Sequence, residues 1–106
     1  MPNQKYDIIF TRVVASHLLT IDRKYHSLIR DSIQEQLQYE PLLESRNRKP
    51  LKKPIKIGAT WELRLGVKNE FRVFYEVDLA NYQVLIVAIG LKIGNQVLIK
   101  NEVIEL

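Results

Sequence analysis

The chain contains no cysteine, which excludes disulfides and thiolate metal sites and fits a reducing compartment. No apolar run approaches the roughly 18 residues of a membrane span. The opening "MPNQKYD" lacks the charged-then-apolar layout of an export signal, so the expected location is the cytoplasm. Only two histidines are present, His17 and His26, and neither has acids clustered around it in sequence. They make a poor metal site and read as packing or surface residues. There is no GxxxxGK[ST], GxSxG, HExxH or GxGxxG, so nucleotide hydrolysis, triad chemistry and zinc protease chemistry have no support. No metal, cofactor or membrane partner is expected. One further absence is local: from Ser45 to Trp61 there is no carboxylate.

That same stretch holds the positive charge. "SRNRKPLKKPIK", residues 45–56, contributes Arg46, Arg48, Lys49, Lys52, Lys53 and Lys56. The net charge of the 106 residues is +4, so outside these six cations the chain sums to 4 − 6 = −2. Pro50 and Pro54 each fix φ and remove a backbone donor, so the segment cannot be a regular helix. Two readings stand: a solvated connection, or a surface that meets phosphates. Six phosphate contacts would give a log–log salt slope of roughly −4 to −5.

A hydrophobic content of 46% and a charged content of 26% are ordinary for one globular domain, here spanning residues 1–106. "YDIIFT" alternates as a first strand. From Arg12 the period lengthens, and Val13, Val14, His17, Leu18 and Ile21 share one face of a short helix. Asp22 is placed to cap a second helix in which Tyr25, Leu28, Ile29, Ile33 and Leu37 line one side. Pro41 ends it, and residues 41–58 read as a long basic connection. "TWELRL", "FRVFYEV" and "YQVLIVAIG" follow as three strands, the last apolar enough to be covered on both faces. The tail "NQVLIKNEVIEL" suits a small hairpin. The expected architecture is α+β: an N-terminal strand, a helical hairpin, then an antiparallel meander forming a twisted sheet with the helices on one face.

Alternation puts Glu62 and Arg64 on one face of their strand, and Arg72 opposite the main apolar set of the next. Neighbouring antiparallel strands bring such residues within about 5–8 Å of each other. Two close guanidiniums need carboxylates or a bound anion beside them. An ion-pair ladder with Glu62, Glu70 and Glu76 and an anion site both satisfy this, and the pattern does not separate them. Trp61 reads as core or loop clamp, with base stacking as the alternative.

"ATWELRLGVKNEFRVFYEVD" followed by "VLIVAIGLK" resembles the central sheet of the RelE/ParE superfamily of bacterial toxins, and "YHSLIRDSIQEQLQYEP" with "SRNRKPL" is similar to its RelE-like subgroup. The resemblance covers nearly the whole chain. It implies the toxin of a type II toxin–antitoxin pair, neutralised by an antitoxin and cutting mRNA in the ribosome without metal or cofactor. It further implies that Arg72 stabilises transition-state charge, that Arg64 and Lys92 stand at cationic positions of the family, and that the cations from Arg46 to Lys53 hold RNA backbone. On this reading Arg72→Ala abolishes growth arrest and leaves the fold intact. Glu62 stands where some members carry lysine, and Val97 and Leu98 occupy the neighbourhood of a terminal tyrosine or histidine. A general base would then be Glu62, Glu70, Glu76 or a lysine, with Glu62 first because it shares Arg64's face. An ion pair with Arg64 is its other role. Two alternatives to the nuclease remain: a ParE-like gyrase inhibitor that cuts nothing, and a non-toxic RNA- or antitoxin-binding homologue.

Overall fold

The computed structural model describes residues 4–52 and 58–104. Strand β1 (Asp7–Phe10) leads into helix α1 (Arg12–Leu18), a 3-10 turn (Arg23–Tyr25) and helix α2 (His26–Leu37). Strands β2 (Arg48–Pro50), β3 (Trp61–Leu65), β4 (Phe71–Asp78), β5 (Gln83–Ile93), β6 (Gln96–Ile99) and β7 (Glu102–Ile104) follow. They form one sheet in the order β2-β3-β4-β5-β6-β7, all antiparallel, while β1 pairs in parallel with the first half of β5. The expected α+β architecture is the observed one. The parallel placement of β1 and the strand inside the basic connection are additions to it.

Each helix boundary has a local cause. Asp22 accepts a hydrogen bond from the Lys24 amide at 3.0 Å and so starts the turn that feeds α2. The ring Nε2–H of His26 donates to the carbonyls of Leu18 and Ile21, at 2.8 and 2.9 Å, and closes the end of α1. Both helices lie on one face of the sheet, where Val14, Ile29, Ile33 and Leu37 bury completely against Leu63, Val73, Tyr75 and Ile86. The Tyr75 hydroxyl donates to the Pro41 carbonyl at 2.6 Å and pins the exit of α2 to the sheet.

Strand β5 carries a bulge. Tyr75 pairs with Ile86 and Phe74 with Ala88, which leaves Val87 as the extra residue. The inserted residue inverts the alternation, so Val84, Ile86 and Ile89 all reach the helix face. Beyond the bulge the Ile89 amide donates to Nδ1 of His17 at 3.3 Å, and this buried histidine acts as an internal acceptor. On the opposite face Phe74, Ala88, Val97 and Ile99 make a second, smaller core. It exists because β6 folds across Gly90: a Cβ there would lie 2.6 Å from the Leu98 carbonyl oxygen. The hairpin of β6 and β7 turns on Lys100 and Asn101, both with positive φ (53° and 67°), the pairing that a two-residue hairpin favours.

Candidate functional site

The face of the sheet turned away from the helices holds the charged residues singled out in the sequence. Glu62 and Arg64 project there from β3, and Arg72 projects from β4 directly opposite Arg64. On the far side of Arg72 its β5 neighbour is Gly90, and Lys92 stands two residues further along that strand, exposed. Lys49 of β2 lies opposite Glu62. Strand pairing thus brings Glu62, Arg64 and Arg72 together, with Lys49 and Lys92 on flanking strands.

The three central side chains form one ion-paired node. Glu62 Oε1 accepts from Arg64 Nε at 2.7 Å and from an Arg72 terminal nitrogen at 2.9 Å. Arg72 Nε also donates to the carbonyl of Asn69, at 3.3 Å, in the left-handed turn between β3 and β4. Exposure is uneven: the side chains of Glu62 and Arg72 are 3% and 7% exposed, that of Arg64 36%. Burial lowers the pKa of Arg72 from the usual guanidinium value, Glu62 draws it back up, and Arg64 pushes it down. Two cations and one anion leave the node with a surplus of one positive charge.

The Glu62 Oε1 is committed to two charge-assisted hydrogen bonds and the residue is almost wholly buried. Its contact with Arg64 is the ion pair weighed as its other role. Arg72 is not presented to solvent, because its guanidinium is held inward by Glu62 and Asn69. The solvent-facing guanidinium of the node is that of Arg64.

The basic segment divides in a way that its composition hides. Arg48 is structural. Its Nε donates to the Leu43 carbonyl at 2.9 Å and a terminal nitrogen to the Gln36 carbonyl at 2.8 Å, with Glu40 at 3.8 Å. Those bonds fasten the segment to the end of α2 and occupy the Arg48 guanidinium. Lys49 lies 3.8 Å from Glu44 across an exposed pair, a contact of little energy. Arg46 and Lys52 are exposed, while Lys53 and Lys56 lie outside the described residues. The segment is also not a loop throughout, since β2 pairs along the edge of β3 and Pro50 occupies an edge strand that tolerates it. Sequence reading missed Gln36, Glu40 and Asn69 as partners of the arginines. Glu40 sits just upstream of the basic run, and Asn69 lies in the turn between β3 and β4.

Elsewhere, an open depression of about 540 Å³ is lined by Leu19, Thr20, Ile21, Asp22, Arg23 and His26, none of them a residue of the node. Among the described residues no helix is long and apolar enough to cross a membrane.

The sheet thus carries a helical hairpin on one face and an arginine pair on the other. No family model and no curated protein matches the sequence. Among solved structures the chain is similar to one from the RelBE2 toxin–antitoxin complex of Mycobacterium tuberculosis. The TM-score is 0.66 at 23% identity, covering 83% of this chain and 99% of that one. At that identity the likeness establishes the fold, which is RelE-like.

Proposed function

We propose that the protein is the toxin of a type II toxin–antitoxin pair and acts in the cytoplasm as a ribosome-dependent mRNA endonuclease that stops translation. The observation that carries this reading is the direct cross-strand pairing of Arg64 with Arg72, with Lys92 exposed on the same face, in a fold shared with a chain of a toxin–antitoxin complex. In strand cleavage by the neighbouring ribose, the 2′-oxygen bonds to phosphorus, its proton passes to a base, and the 5′-oxygen leaves carrying a proton. Negative charge builds on the equatorial oxygens. Arg64, held at Nε by Glu62, has its terminal nitrogens for that charge, and Lys92 adds a second cation. Arg72 stands directly opposite Arg64 and shares its carboxylate oxygen, as the second guanidinium of the pair. Arg46, Lys49 and Lys52 extend the cationic surface along the β2 edge toward RNA backbone. An antitoxin is the expected protein partner.

A second reading has its own support. The carboxylate first chosen as base is locked between two guanidiniums, which favours a protein that binds without cutting, whether a gyrase inhibitor or a non-toxic binder. Primer extension on mRNA after induction separates the three. Codon-linked 3′ ends are expected for the nuclease. Growth arrest with intact messages and altered DNA supercoiling would replace it with gyrase inhibition, and harmless overexpression with the binder.

A further inference from the structure

Glu62 is a buried anion sitting between two cations, and the chemistry of the node does not require that anion to be a carboxylate. A guanidinium holds carboxylate and phosphate oxygens with the same hydrogen-bond geometry and the same charge assistance. We propose that the Glu62 carboxylate occupies an oxyanion site: its Oε1 stands between Arg64 Nε and Arg72 where a phosphate oxygen stands once the carboxylate is displaced.

Three features carry this. First, the two arginines face each other directly across β3 and β4, a placement that an intervening anion makes tolerable. Second, the Asn69 carbonyl holds Arg72 independently of Glu62, so half of the site stays in place when the carboxylate leaves. Third, Arg64 is the solvent-exposed member of the node, its side chain 36% exposed against 3% for Glu62. The node carries one surplus positive charge, which a phosphate dianion neutralises more fully than one carboxylate does. The protein by itself is therefore half-neutralised at its arginine pair, and a polyanion must compete with an internal ligand to reach it. Naming that polyanion as an RNA phosphate rests on the toxin reading above; the oxyanion site does not.

The test is thermal unfolding of the whole chain and its Glu62→Gln variant in inorganic phosphate, against chloride at matched ionic strength. The variant keeps the shape of the side chain and vacates the charge. At phosphate about ten times its dissociation constant, the variant's Tm is expected to rise by roughly 6–11 °C. The wild type should rise by much less, because its own carboxylate competes. Equal rises in the two proteins would overturn the proposal. Adding Arg64→Gln to the variant should remove the phosphate-dependent rise; a rise that persists in full would place the anion elsewhere and overturn it too. Should Glu62→Gln be unfolded in chloride, phosphate is expected to restore the folded fluorescence of Trp61, and a chain still unfolded at saturating phosphate refutes the site. Growth arrest is scored separately. A harmless wild-type protein would end the toxin reading and leave the phosphate result standing.

Discussion

Removing the acid from the node should cost more than removing its buried cation. In Glu62→Leu, Arg72 remains 7% exposed with Arg64 directly opposite and no counter-ion between them. An orphaned buried charge costs about 3–5 kcal/mol. In Arg72→Met, by contrast, Glu62 keeps its 2.7 Å bond to Arg64, whose side chain reaches solvent. What is lost is the charge-assisted hydrogen bond to Glu62, about 1.5–3 kcal/mol, together with the longer 3.3 Å bond to the Asn69 carbonyl. The double variant Glu62→Leu/Arg72→Met removes the buried pair together and should be more stable than Glu62→Leu alone. Equilibrium urea unfolding followed by the single tryptophan, Trp61, reads all three, with unchanged m-values as the check that the unfolded state is the same. Arg72→Met less stable than Glu62→Leu, or a double variant whose loss equals the sum of the singles, would refute the shared-carboxylate account. On the same reasoning Arg72→Ala is expected to cost stability as well, so loss of growth arrest in it would not by itself separate chemistry from stability.

Other consequences follow from particular contacts. Burial, with Lys100 adding to it, lowers the pKa of His17 below its ordinary 6.5. The unfolded chain then binds a proton that the folded chain resists, so this contribution to stability is present at neutral pH and is lost as pH falls below about 6.5. His17→Asn, which keeps an acceptor for the Ile89 amide, should flatten the fall in Tm between about pH 7 and pH 5. Gly90→Ala places a Cβ 2.6 Å from a backbone oxygen and should cost about 1–3 kcal/mol in urea unfolding by pushing β6 off the sheet. Arg46→Gln should reduce the salt slope of RNA binding by roughly one and leave Tm unchanged. Arg48→Gln should lower Tm and leave the slope alone, because its guanidinium is spent on Gln36 and Leu43.

The alternation in "TWELRL" and "FRVFYEV" was enough to place Glu62, Arg64 and Arg72 on one face, because a period of two fixes sidedness whatever the tertiary context. Helical spacing likewise identified Ile29, Ile33 and Leu37 as core, but it also included Val13 and Leu28, which are exposed at the margins of those faces. The apolar run in β5 gave its coverage on both faces but not its bulge, since a continuous apolar stretch carries no alternation to break. The parallel pairing of β1 with β5 is a non-local choice that no local pattern encodes. The basic segment misled for a related reason. Charge per residue is legible in a sequence, but what neutralises it depends on which elements fold back, and Arg48 is claimed by the end of α2. Sidedness also could not tell whether Glu62 bridges the arginines or stands apart from them, because that turns on side-chain conformation.

Arg64→Gln tests the central claim most directly. Arg64 is the exposed member of the node, and without it Glu62 still holds Arg72, so the loss of stability should stay near 1 kcal/mol. A variant that folds, leaves growing cells unharmed and yields no codon-linked 3′ ends is the predicted result. A folded Arg64→Gln protein that still halts growth and cuts message at wild-type efficiency would contradict it.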